Sequence, residues 1–140
     1  MKKTAVIYWS GTGNTEAMAN AVAEGMKEAG AEVTVMTADQ VDANALSYSA
    51  IAFGCPAMGS EVLEEVDFQP MFDGCKNCLG GTSVALFGSY GWGDGEWMRS
   101  WEKDCSDAGV NLVCESVTCC EAPDDAALTA CRELGKTLAK

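Results

Sequence analysis

Ser10-Gly11-Thr12-Gly13-Asn14-Thr15 places two glycines and four hydroxyl or amide side chains within six residues. Glycine lets a backbone curl, and a helix starting here turns its first unpaired N–H groups toward the same spot. The chemistry such a set can do is to cradle a phosphate. It is not a P-loop, because no Gly-Lys-Ser/Thr follows, and Glu16 stands where a dinucleotide fingerprint needs its third glycine. A bare Gly-x-Gly would read as an ordinary capped turn; four donor side chains in a strand-to-helix context favour the cradle. It holds no Lys or Arg. A helix dipole contributes only ~0.3–1 kcal/mol, or ~2 when partly buried. Hydrogen bonds to a charged group are worth about 1.5–3 kcal/mol each, so neutral donors dominate. The expected ligand is a phosphomonoester that something else also grips.

Two further loops can supply that grip: Gly54-Cys55-Pro56-Ala57-Met58-Gly59-Ser60-Glu61 and Gly88-Ser89-Tyr90-Gly91-Trp92-Gly93-Asp94-Gly95. Four glycines in eight residues exceed what one turn needs, and Trp92 sits among them, where packing explains a large aromatic poorly. A planar ring between Met58 and Trp92 would account for both. Taken alone, Trp92 serves equally well as a lid over a small satellite core.

Other chemistry is excluded or weak. The chain has no histidine, which removes Ser-His-Asp, Cys-His and His-ligated metal mechanisms. Its eight cysteines include Cys75-Lys76-Asn77-Cys78 and Cys119-Cys120. A zinc site pairs two Cys-x-x-Cys knuckles, and a thioredoxin-type motif follows the first strand; neither context is met. Reduced thiols are expected, with Cys105 and Cys131 on apolar helix stripes and Cys114 inside a strand. Nine Lys and Arg against 21 Asp and Glu give a net charge of −12, which repels nucleic acid and anionic lipid and favours a basic protein partner. Met1-Lys2-Lys3 precedes an apolar run too short for a signal segment, and no run reaches the ~18–20 residues of a membrane span, so a cytoplasmic chain is expected.

The elements that must position these loops follow from periodicity. Thr4–Trp9, Ala50–Phe53 and Ser83–Phe87 are nearly continuous apolar runs, as in strands buried on both faces of a parallel sheet. Glu32–Thr37 alternates, with Val33 and Val35 facing one way, as an edge strand does; Asn111–Val117 is the opposite edge. Helical stripes lie between: Met18, Val22, Met26 and Ala29 before Gly30; Phe68, Met71, Phe72 and Cys75 with Pro70 in the first turn; Trp97, Trp101, Cys105 and Ala108 before Gly109; and Ala127, Cys131, Leu134 and Leu138 after Pro123-Asp124. At that spacing Trp97 and Trp101 read as core packing. Alternating strands and helices predict a single α/β domain over residues 1–140, a three-layer sandwich with a five-stranded parallel sheet in the order 2-1-3-4-5. Ligands then bind beyond the carboxyl ends of the strands, at the loops after Trp9, Phe53 and Phe87.

Ser10–Thr15, Ala57-Met58-Gly59-Ser60-Glu61 and Gly88-Ser89-Tyr90-Gly91-Trp92-Gly93 fall in order at the ends of the first, third and fourth expected strands. Together they closely resemble a short-chain flavodoxin, along essentially the whole chain. The resemblance implies the flavodoxin-like fold and one non-covalent FMN. Its phosphate would lie in Ser10, Gly11, Thr12, Gly13, Asn14 and Thr15, and its isoalloxazine between Met58 and Trp92. Pro56, Ala57 and Ser60 would accompany Met58 beside the ring, with Glu61 on the uracil-like edge and the Gly59 carbonyl able to turn toward flavin N5. Ser89, Tyr90, Gly91 and Gly93 would line the ring and ribityl chain. Cys119-Cys120 departs from the family beside a loop that approaches the flavin. The implied function is a one-electron carrier, cycling between semiquinone and hydroquinone, that serves reductases and iron-sulfur enzymes through transient complexes as a monomer. Glu61, Glu64, Glu65, Asp67, Asp94 and Glu96 lie around the loops; one charge at ~10 Å and effective ε ~20 is worth about 1.7 kcal/mol, so an anionic reduced flavin is disfavoured and the potential low. A small FMN-dependent NAD(P)H or quinone reductase is the enzyme alternative. The scattered basic residues offer it no nicotinamide-phosphate site.

Overall fold

Apolar runs and helical stripes alternate as expected in the computed structural model, which describes residues 2–11, 13–41, 47–58, 62–91 and 93–140. Among the described residues six strands form: β1 Lys3–Tyr8, β2 Glu32–Thr37, β3 Ala50–Gly54, β4 Ser83–Tyr90, β5 Asn111–Leu112 and β6 Val117–Cys120. Four α-helices accompany them: α1 Asn14–Glu28, α2 Phe68–Cys75, α3 Glu96–Asp107 and α4 Asp125–Ala139. The sheet order is β2-β1-β3-β4-β5, and every strand pairing among the described residues is parallel.

Alternate residues of the central strands feed two cores, one on each side of the sheet. Ala5, Ile7, Ile51, Phe53, Val84 and Leu86 pack with Phe68, Phe72, Trp97, Trp101 and Cys105 of α2 and α3. Val6, Tyr8, Ala50, Ala52, Ala85 and Phe87 pack with Met18, Val22, Met26, Cys131, Leu134 and Leu138 of α1 and α4. This is the three-layer sandwich. Trp97 and Trp101 are core residues, and the Trp101 ring stands edge-on to Phe68 and Phe72 with centroids 5.4 and 5.6 Å away.

Two strand boundaries and the facing of one edge-strand residue differ from the sequence expectation. The fifth strand is two short pieces: β5 pairs with Ser83–Val84 and β6 with Phe87–Tyr90 of the same strand. Between them Ser116 donates its hydroxyl to Glu102 (2.7 Å) instead of continuing the ladder, so Cys114 lies outside a strand. Because β6 pairs with its end, β4 runs on through Gly88, Ser89 and Tyr90, which are strand and not loop. On β2, Val33 packs against the core but Val35 is 41% exposed, since an edge strand is only partly covered.

Helix ends follow local chemistry. Gly30 takes φ 88° after α1, with its N–H bonded to Lys27 O and that of Ala31 to Met26 O, a Schellman cap. Ala29, expected on the apolar stripe, is therefore the exposed capping residue. Asp124 caps α4 by accepting from the Ala127 N–H at 2.8 Å. No helix among the described residues is long and apolar enough to cross a membrane.

Candidate functional site

The carboxyl ends of β1, β3 and β4 converge on one cleft of about 630 Å³, lined by Trp9, Gly11, Asn14, Pro56, Ala57, Met58, Ser89, Tyr90, Gly91 and Glu121. That volume suits a medium-sized organic ligand. Gly13 precedes α1 at φ 96°, a left-handed conformation that L side chains rarely adopt. Its N–H donates to Ser10 Oγ (3.0 Å), which curls the loop, while no side chain caps the helix. Thr15 is 1% exposed, and its hydroxyl is buried without a hydrogen-bond partner. Leaving such a group unpaired costs ~1–3 kcal/mol. A phosphate oxygen at this helix start would satisfy it, so the residues present fit a phosphate.

The second loop is anchored to the sheet. Cys55 N–H donates to Phe87 O (3.2 Å), Ala57 N–H to Ser89 O (3.0 Å), and Met58 N–H reaches across to Val62 O (2.9 Å). Met58 and Ala57 thus form one wall of the cleft and Tyr90 and Gly91 another. The Tyr90 ring leans on Trp97 at 5.4 Å. Gly88 is required by packing and not by a turn: a Cβ there would lie 2.2 Å from the Cys55 carbonyl oxygen. The Trp97 indole N–H donates to that same oxygen (3.1 Å).

Of the residues expected at the site, Gly11, Asn14, Pro56, Ala57, Met58, Ser89, Tyr90 and Gly91 line the cleft; Ser10, Gly13 and Thr15 belong to the loop and helix start beside it. Gly93, exposed at φ 87°, does not line it. Thr12, Gly59, Ser60, Glu61 and Trp92 lie outside the described residues. Two lining residues escaped the sequence reading. Trp9 looks like a strand end, yet its ring folds over the loop, where a Cβ on Gly11 would sit 3.0 Å from it. Glu121 has no local signal: it adopts φ 60°, donates its N–H to Tyr90 O (2.7 Å), and accepts from the Ser89 hydroxyl (2.7 Å).

The charges expected around the loops divide. Glu65, Asp67 and Glu96 are exposed, and Asp94 pairs with Arg99 at 2.9 Å. Glu64 is not a surface charge; it is 5% exposed and accepts from the N–H groups of Val66, Asp67 and Phe68. Burial alone would raise its pKa, but the bonds from Phe68, Asp67 and Val66 outweigh this and hold the carboxyl below its ordinary value. The buried thiols are poor nucleophiles. Burial pushes Cys55, Cys105 and Cys131 up to about 12 and Cys75 up to about 11. Cys119 turns its sulfur to Met18 Sδ (3.6 Å), so at this edge Glu121 lines the cleft and the cysteine pair does not.

An α/β fold with its cleft at the strand ends, beside a glycine-led helix start, has the layout in which such folds hold nucleotide-type cofactors. The flavodoxin family model matches residues 6–135. The flavodoxin of Megasphaera elsdenii is 44% identical over 136 residues, covering 96% of this chain and 97% of that protein. The flavodoxin of Clostridium beijerinckii is 42% identical over 135 residues, with 96% and 97% covered. The solution structure of two-electron reduced Megasphaera elsdenii flavodoxin superposes with a TM-score of 0.89 at 43% identity, covering 97% of this chain and 98% of that one. The chain belongs to the flavodoxin family of FMN-binding electron carriers.

Proposed function

We propose that this protein is a low-potential one-electron carrier that cycles its non-covalent FMN between semiquinone and hydroquinone. The observation that carries the reading is the cleft itself: one wall from Ala57 and Met58, another from Tyr90 and Gly91, and the buried, unpartnered Thr15 hydroxyl beside its mouth. The bound flavin would supply the redox chemistry. The chain's own residues do the rest. Ser10, Gly11, Thr12, Gly13, Asn14 and Thr15 hold the phosphate with neutral donors, and Pro56, Ala57 and Met58 with Ser89, Tyr90 and Gly91 exclude water from the ring. Gly59, Ser60, Glu61, Trp92 and Gly93 complete the proposed set. A net charge of −12, with Glu65, Asp67 and Glu96 exposed near the loops, opposes further negative charge in the cleft and keeps the potential low. The same charge suits brief complexes with basic faces of reductases and iron-sulfur enzymes, made by a monomeric single-domain protein in the cytoplasm.

Reconstitution with FMN and stepwise reduction tests the reading. It predicts about one FMN per chain, a blue one-electron-reduced species in the visible spectrum, and no NADPH turnover without an added reductase. A protein that cannot take up FMN, or that oxidises NADPH unaided, overturns it. Riboflavin, lacking the phosphate, binds at least about a hundredfold more weakly, a difference of ~2.8 kcal/mol. Equal affinities would reduce Ser10–Thr15 to a turn.

A further inference from the structure

The segment that carries Ala57 and Met58 into the cleft is held at both ends, and the two holds meet. On the incoming side, Cys55 and Ala57 donate their N–H groups to Phe87 O and Ser89 O, fastening the chain to β4. On the outgoing side, Val62 O receives the Met58 N–H, Leu63 is buried in the core beside α2 and α3, and Glu64 follows. Glu64 donates its own N–H to Cys55 Sγ (3.4 Å), which ties the outgoing end back to the incoming one. Its carbonyl accepts from Gln69 N–H (2.8 Å), and its carboxylate gathers the N–H groups of Val66 (2.8 Å), Asp67 (2.7 Å) and Phe68 (2.8 Å).

Helix α2 needs this carboxylate. Asp67, at the N-cap, makes no side-chain capping bond, so the open N–H groups at the helix start find their acceptor three residues upstream. An anion there also meets the positive end of the helix dipole. The carboxylate therefore does two jobs with one placement: it starts α2 and fixes the point from which the chain leaves the cleft wall. Neither Glu65 nor Asp67 can substitute, since both are exposed.

We infer that Glu64 is a positioning residue for the cofactor, setting the Ala57–Met58 wall of the cleft by locking residues 62–68 to Cys55. The inference rests on the FMN reading of that cleft. Glu64 touches no cofactor in this account; it acts through its N–H bond to Cys55 and through residues 62 and 63, whose Val62 O holds the Met58 N–H. Cys55 shares the role, with a thiol that burial keeps protonated and serving as an acceptor.

Amide hydrogen exchange on the apoprotein and the FMN-loaded protein, with FMN titration alongside, tests this in Glu64→Gln and Cys55→Ala. Glu64→Gln keeps the shape but loses charge-assisted acceptance, which is worth about a tenfold effect or more per bond. The expected result is faster exchange at Val66, Asp67 and Phe68 accompanied by faster exchange at Met58, and an FMN Kd raised about tenfold or more. Cys55→Ala should speed Glu64 and Met58 while leaving Phe68 protected, and it carries the test if Glu64→Gln does not fold. If Val66, Asp67 and Phe68 speed up while Met58 exchange and FMN affinity stay at wild-type values, Glu64 only caps α2 and the inference fails. Should the wild-type protein bind no FMN, the cofactor reading fails instead, and coupled exchange at Met58 in the apoprotein still decides whether the lock exists.

Discussion

Thr15 and Glu64 are buried polar residues with opposite bookkeeping, and the difference separates binding from stability. The Thr15 hydroxyl has no partner, so replacing it with an isosteric apolar group removes an unsatisfied buried dipole. Thr15→Val should leave the apoprotein equally stable or stabilised by up to ~1 kcal/mol, while FMN affinity falls about tenfold and riboflavin affinity is unchanged. Thermal unfolding of the apoprotein and paired titrations check this; a loss of apoprotein stability would show that the hydroxyl already has a structural job. Glu64 is fully satisfied, with three backbone donors. Its folded pKa lies below the ordinary value of 4.5, so its contribution is present above the unfolded pKa and lost as pH falls through the folded one. Glu64→Gln should cost ~1.5–3 kcal/mol in denaturant unfolding at pH 7, and the gap to wild type should narrow as pH falls from the unfolded value through the lowered folded one. A gap that stays constant from neutral to strongly acid pH would mean that the charge is not what α2 requires. Glu121 is the third case. A non-glycine residue at φ 60° is strained, so Glu121→Gly should stabilise the apoprotein by about 1 kcal/mol if its backbone bonds to Tyr90 and Ser89 survive.

At the scale of elements, α1 and α4 approach so closely that glycine is the only residue that fits between them. A Cβ on Gly25 would meet the Arg132 carbonyl oxygen at 2.0 Å, and one on Gly135 the Val22 carbonyl oxygen at 2.1 Å. Gly135→Ala gains ~1 kcal/mol of helix propensity yet forces two backbones apart, so net destabilisation of about 1–3 kcal/mol is expected in thermal or denaturant unfolding. A stabilised Gly135→Ala protein would show that α4 can shift outward freely. Nothing in the local sequence announces this contact. Gly25 and Gly135 sit inside helical stripes, where glycine reads as a defect until the partner helix is placed. The stripes themselves were legible, because Met18, Val22 and Met26, and Cys131, Leu134 and Leu138, repeat at helical spacing and end up buried. So were the central strands, whose apolar runs have no other use in a parallel sheet. The ends were not: β4 continues through Tyr90 because β6 pairs with it, and β6 is a distant segment. Trp9 and Glu121 were missed for the same reason, since each faces the cleft only after non-local pairing brings it there. The motif loops were readable because glycine density and clustered donors are local signals.

Across the whole molecule, charge is the least balanced quantity. Nine cationic side chains face 21 anionic ones, and Lys76, Arg99, Lys103 and Lys136 already pair with nearby carboxylates. Folding therefore compresses a net charge of −12 into one small body, and that self-repulsion is screened when salt shortens the Debye length from about 30 Å at 0.01 M to about 3 Å at 1 M. Two consequences follow with opposite signs. Sodium chloride raised from about 10 mM to about 0.5 M should raise the melting temperature of the apoprotein, because the compact state carries the denser charge. Over the same range, the second-order rate of electron transfer from the reduced, FMN-loaded protein to a cationic haem protein should fall at least about tenfold, because attraction between unlike net charges steers the encounter and is screened too. Stopped-flow absorbance at the haem band measures that rate. The two experiments must move apart: a rate that does not fall with salt while the melting temperature climbs would mean that the charge governs solubility and compactness alone, and that partners recognise the cleft without help from the field around it.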